Sequence, residues 1–251
     1  MKLTVTDQYV RQMSLKEEAA SLPNQFPYTL PVIQNLGELS FHPNVTYIIG
    51  ENGMGKSTLL EALAVALGFN PEGGSKNFTF SSYESHSELH ELVRIVRSGN
   101  RPKDGYFFRA ETFYNVATYI EELDRGGGGR RIIDSYGGKS LHEQSHGEAF
   151  FAAFMERFGG KGLYILDEPE AALSPIRQLS MLARIDELVE QGSQFIISTH
   201  APLLMAYPDA KIFQLDAEGI DEVQLEQTQH YSIMKQFFED RGRLLHHLFQ
   251  R

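Results

Sequence analysis

Eight residues, Gly50-Glu51-Asn52-Gly53-Met54-Gly55-Lys56-Ser57, constrain this 251-residue chain more than any other feature. They satisfy G-x-x-x-x-G-K-[ST] in full. They stand between an apolar run at 45–49 and a helical pattern at about 57–67, which Gly68 and Pro71 end. A strand, a tight loop and a helix start in that order form a cradle for phosphate. The glycines let the backbone approach the anion, and the helix N-terminus adds unpaired N–H groups and a positive dipole end. Asn52, Gly53, Met54, Gly55, Lys56, Ser57 and Thr58 are the candidate phosphate-binding residues. Lys56 offers a cation to the β- and γ-phosphates, and Ser57 a hydroxyl to Mg²⁺. The plainer alternative is a glycine-rich turn with a surface lysine.

A second signal lies at 163–168, where an apolar strand ends in Asp167-Glu168. In open α/β sheets, ligands bind outside the carboxyl ends of the strands. Asp167 is a candidate metal ligand there. Glu168 is a candidate for polarising an attacking water. Residues 195–200 form another such end, closing on Ser198-Thr199-His200. His200 either senses a γ-phosphate or is structural. Ser145-His146-Gly147-Glu148 precedes an apolar helix at 147–158 and reads as S-x-x-E, a capping box. The same residues read as an anion site, with Ser145 and the Gly147 backbone at the helix start.

Elsewhere the chain alternates strands and helices, which predicts a mostly parallel α/β sheet flanked by helices. Further strands are expected at 106–108 and 212–215. Helices are expected at 84–97, at 112–123, from Ser174-Pro175 to about 191, and across 231–249 with a break near Gly242. Residues 126–129, four glycines, read as a loop. Pro23, Pro27 and Pro31 leave the first 40 residues without a clear pattern. The stretch from about 70 to 145 resembles an inserted, more helical subdomain.

The formal net charge of -10 argues against a chain-wide nucleic-acid surface, leaving only a local basic patch around Arg125, Arg130 and Arg131. No cysteine is present, and no apolar run approaches the ~20 residues of a membrane helix. The N-terminus lacks the apolar core of a signal peptide, so a cytoplasmic location is expected.

Taken in order, these blocks resemble the ABC-type ATPases across about 45–215. Residues 50–57 resemble the Walker A loop, 145–148 the signature motif, and 163–168 Walker B with its catalytic glutamate. Residues 170–174 resemble the D-loop, and His200 the switch histidine. The resemblance implies a single ABC-type domain over 1–251, with an inserted helical subdomain at about 70–158 that carries the signature. It implies Mg·ATP bound and hydrolysed at the interface of a head-to-tail homodimer, with Lys56, Glu168 and His200 in catalysis. Ser57 and Asp167 would serve the metal, and Ser145 and Gly147 would serve the partner copy's nucleotide. The client would be a protein or nucleic acid, with a membrane partner as the less favoured alternative.

Two motifs depart from the family. The signature has His146 where glycine is usual and Gln144 where leucine is usual. Arg109 or Glu111 stands where the Q-loop glutamine is expected. Phe26 and Tyr28 are candidates for stacking on adenine. Three alternatives remain: a transporter's nucleotide-binding subunit, a DNA-repair-type ATPase head, and a zinc metallopeptidase. The last rests on His142-Glu143-Gln144-Ser145-His146, an H-E-x-x-H pattern. Against it, a helix starting at 145 leaves His142 outside.

Overall fold

Three strands that are apolar on both faces form the middle of the molecule: β3 (Val45–Gly50), β7 (Gly162–Asp167) and β8 (Gln194–Ser198). Such strands need cover on both sides, which parallel sheets receive from helices. A computed structural model describes residues 8–17, 24–76, 87–126, 131–140, 142 and 146–249. It places these strands in a seven-stranded sheet with β4 (Gly74–Ser75), β6 (Asp104–Arg109), β9 (Lys211–Leu215) and β10 (Ile220–Val223). The order is β10-β9-β3-β8-β7-β6-β4. The five middle strands run parallel, and β10 and β4 are antiparallel edges.

Alternation along the central strands divides the core in two. Tyr47, Tyr164, Leu166, Phe195 and Ile197 face one side. There they pack with α4 (Phe113–Gly126), α5 (His146–Arg157) and α6 (Pro175–Glu190). Ile48, Leu163, Ile165 and Ile196 face the other side, with α2 (Lys56–Ala66) and the N-terminal segment. The N-cap of α6 is as expected: Ser174 Oγ accepts from the Arg177 N–H, and Pro175 opens the helix.

The remaining elements depart from the sequence reading in three places. A three-stranded antiparallel sheet, β2-β1-β5, joins β1 (Val10–Leu15), β2 (Leu39–Ser40) and β5 (Val93–Arg97). β1 and β2 lie in the stretch that showed no pattern. The helix expected over 84–97 is only α3 (Leu89–Leu92), after which the chain extends into β5 to pair with β1. The stretch expected as an inserted helical subdomain at 70–158 holds short strands as well as helices. β5 joins the small sheet and β6 the main one, and the helical part narrows to α4, α5 and a 3₁₀ turn at Ile132–Tyr136. The C-terminal region forms α8 (Gln229–Glu239) and α9 (Arg241–Phe249), broken at Asp240, near Gly242 as expected. Two one-turn helices, α1 (Pro31–Gln34) and α7 (Pro202–Met205), complete the chain. No helix among the described residues is long and apolar enough to cross a membrane.

Candidate functional site

The loop after β3 turns tightly because its glycines adopt backbone angles that other residues rarely do. Gly53 has φ 84° and Gly55 has φ 95°. A Cβ on Gly55 would also lie 2.6 Å from Val32 Cγ1, so α1 seals the back of the loop. Glu51, Asn52 and Gly53 are exposed at its rim, and Met54 and Gly55 are half-buried. α2 begins at Lys56, which is only 4% exposed. Its Nζ donates to Gly50 O at 3.0 Å and Glu51 O at 3.2 Å, and stands 3.9 Å from Glu168 Oε1. Burial holds the Lys56 ammonium below its ordinary pKa, while the nearby Glu168 and Asp167 carboxylates pull the other way. Thr58, half-buried, follows in the first turn.

Three neighbouring strand ends carry the rest. Parallel register sets Arg109 of β6 beside Asp167 of β7, and Asp167 beside Ser198 of β8. Asp167 Oδ1 accepts from Ser57 Oγ at 3.1 Å and Ser198 Oγ at 2.5 Å. Arg109 Nε lies 3.9 Å from Asp167 Oδ2. Burial raises the Asp167 pKa above the usual carboxylate range, and the two hydroxyl bonds and the guanidinium partly oppose this. Arg109 is anchored away from solvent, with Nη1 2.6 Å from Glu61 Oε2 on α2.

Glu168 is the next residue and has φ 50°, an uncommon value for a glutamate. Its N–H donates to Ser198 O and Oγ, both at 3.1 Å, which fixes the turn. Its Oε1 lies 3.4 Å from His200 Nε2. The His200 N–H donates to Glu170 Oε1 at 2.6 Å. The candidate D-loop is thus tied to the candidate switch histidine.

The structure brings Lys56, Ser57, Asp167, Glu168 and His200 together at one end of the sheet. Gly147 lies elsewhere, near the start of α5. A Cβ there would fall 2.1 Å from Ala172 O, so this glycine is required for α5 to approach the segment after β7. Ser145 and the side chain of His146 lie outside the described residues. Ser198, Arg109 as an inward-facing partner, and Glu170 as a bond acceptor were not foreseen. They reveal themselves only once the strands are in register.

A family described as an AAA domain matches residues 28–149, which includes the phosphate loop. The cytochrome c biogenesis ATP-binding export protein CcmA of Legionella pneumophila is 27% identical over 191 residues, covering 72% of this chain and 92% of that one. An ATP-binding cassette of an ABC transporter shares the fold at TM-score 0.52 and 16% identity, covering 90% of this chain and 99% of that one. Together the sequence matches and the shared fold support an ABC-type P-loop ATPase. The structural maintenance of chromosomes protein 6 of Takifugu rubripes is 32% identical over 93 residues. That match covers 37% of this ATPase and 8% of the chromosome protein's length.

Two further sequence readings meet this ATPase's geometry. Tyr28 is 5% exposed and packs into the core, whereas Phe26 is 70% exposed. Of the H-E-x-x-H pattern, Glu143, Gln144 and Ser145 lie outside the described residues, and α5 is described from His146. His142 Nε2 is 3.2 Å from Thr118 Oγ1, and its ring packs edge-on against Tyr114. Of the basic patch, Arg125 pairs with Glu121 and Arg131 with Asp134. Arg130 lies outside the described residues.

Proposed function

We propose that this ATPase hydrolyses Mg·ATP in the cytoplasm, between two head-to-tail copies of itself, and uses the cycle to change the conformation of a protein or nucleic-acid client. The observation that carries this reading is the convergence of Lys56, Ser57, Asp167, Glu168 and His200 at the ends of three adjacent parallel strands and their loops.

The backbone amides of Asn52, Gly53, Met54, Gly55 and Thr58 wrap the phosphates, and Lys56 Nζ exchanges its carbonyl partners for phosphate oxygens. The Ser57 hydroxyl and the Asp167 carboxylate are hard oxygen donors 3.1 Å apart, a set that suits Mg²⁺. Bound Mg²⁺ supplies positive charge against the phosphate oxygens. A cation also offsets the burial that now raises the Asp167 pKa. Glu168 accepts hydrogen bonding from the attacking water, and its fixed backbone aims it. His200, held through its N–H by Glu170, contacts the γ-phosphate. Ser145 and the Gly147 backbone serve the partner copy's nucleotide.

The test is Glu168→Gln. In Mg·ATP it should accumulate as a dimer by light scattering, with turnover lost. Full turnover in that variant contradicts the assigned role. A second reading, a transporter's nucleotide-binding subunit, is favoured by the coverage of the export protein CcmA. Against it, Arg109, in the Q-loop's place, is tied inward to Glu61. Co-purification with an integral membrane protein supports the transporter reading. Stimulation of turnover by DNA supports a repair-type head instead.

A further inference from the structure

β6 and β7 have a second end. β6 finishes at Arg109 beside Asp167, and it begins at Asp104 beside Gly162. At ~3.3 Å per strand residue, the two ends are about 17 Å apart. Around Asp104 lies a mostly polar cavity of about 710 Å³, lined by residues of both sheets. Five cations line it, Lys76, Arg97, Arg101, Lys103 and Arg157, against one acid, Asp104. In a chain of net charge -10, this recess carries the opposite sign.

The single acid is already committed. Asp104 Oδ2 accepts from Arg157 Nη1 and from the Tyr164 hydroxyl, each at 2.8 Å. Lys76, Arg97, Arg101 and Lys103 form no ion pair among the described residues. Arg97 Nη2 donates to Ala66 O at 3.0 Å, and Lys76 Nζ stands 4.8 Å from the centre of the Phe69 ring. Neither contact neutralises a charge. Partial desolvation, and after it the charge of Arg97, hold the Lys76 ammonium below its ordinary pKa. The connection that presents Arg101 and Lys103 is pinned at both ends. The Ser98 N–H donates to Tyr9 O at 3.1 Å, and the Lys103 N–H to Lys161 O at 2.8 Å.

Like charges gathered in a recess repel one another, and an anion held among them turns that cost into attraction. Guanidinium forks and ammonium groups both suit phosphate oxygens. The volume falls in the range of small-molecule sites, and the polar lining suits a charged ligand. The negative charge of the whole chain disfavours a long nucleic-acid strand but not a compact ligand seated inside. We propose that this recess binds a compact ligand bearing two or more phosphate groups, at a site separate from the phosphate loop. The proposal does not depend on the ATPase reading.

The experiment is calorimetric titration with inorganic tripolyphosphate in low salt without Mg²⁺. The variants are Lys56→Ala, the pair Arg101→Glu with Lys103→Glu, and Lys76→Glu. Lys76, Arg101 and Lys103 are exposed, so none of them carries the core, and thermal unfolding checks that the variants fold. The wild type should show two binding events per chain, because the phosphate loop also accepts the probe. Lys56→Ala should weaken one. The charge reversals should each weaken the other by about tenfold or more, the value of a charged hydrogen bond. A single event that the reversals weaken and Lys56→Ala does not upholds the proposal and counts against the phosphate-loop reading instead. No event at all, a single event weakened by Lys56→Ala alone, or a second event indifferent to the reversals overturns the proposal. Citrate bound there as tightly as tripolyphosphate overturns the choice of phosphate. Duplex DNA that loses affinity in the reversed variants, with no tripolyphosphate event there, overturns the choice of a compact ligand.

Discussion

The phosphate-loop end of the sheet and the Gly147 end of α5 use the same ingredient, glycine at a helix start, for different physical reasons. At the loop, Gly53 and Gly55 are required by left-handed backbone angles. What they position is then fastened by polar contacts, Lys56 with Glu168, and Ser57 and Ser198 with Asp167. At α5, Gly147 has no such angle among its constraints and is instead required by the approach of Ala172 O. One end is finished by polar contacts within a single chain. The other is finished by packing. A glycine in a motif is therefore not evidence of ligand contact until the neighbour that excludes its Cβ is known.

Substitutions at the two ends should separate accordingly. The largest effect is expected from Glu168→Gln: a steady-state turnover loss of about 10²–10⁴-fold, the usual contribution of a general base. ATP affinity should be near that of the wild type by calorimetry. Gly147→Val comes next. It must displace Ala172, so thermal unfolding should show a loss of about 1–3 kcal/mol, the cost of overpacking. If unfolding is unchanged, the packing account of this end fails. Ser198→Ala is the smallest. It removes one of two hydroxyl bonds to Asp167, and the Mg²⁺ dependence of turnover should shift by about tenfold, the value of a hydrogen bond to a charged group. A shift in ATP affinity without Mg²⁺ dependence would place Ser198 outside the metal's surroundings.

The phosphate-loop end was legible in the sequence because its information is contiguous. Residues 45–67 contain strand, loop and helix in one run, and 163–168 and 195–200 are each a strand with its candidate site residues at the end. What escaped was lateral. Arg109, Asp167 and Ser198 are far apart in the chain and become neighbours only through parallel register. The same holds for the fold. Leu89, Leu92, Val93 and Val96 repeat at helical spacing, yet Val93–Arg97 is strand because β1 offers it a pairing partner some 80 residues earlier in the chain. β1 itself is half-exposed and mixed in composition, so it carries little period-two signal. The helical pattern of the C-terminal region was legible and its role was not. α8 and α9 bury none of their residues.

The central claim is that the amides and lysine of residues 52–58 hold a triphosphate opposite Asp167 and Glu168. Calorimetric titration of the wild type and Lys56→Ala with Mg·ATP tests it most directly. The account predicts one nucleotide bound per chain and an affinity about tenfold or more weaker in the variant, the value of a charged hydrogen bond to phosphate. Equal affinity in both proteins would contradict it.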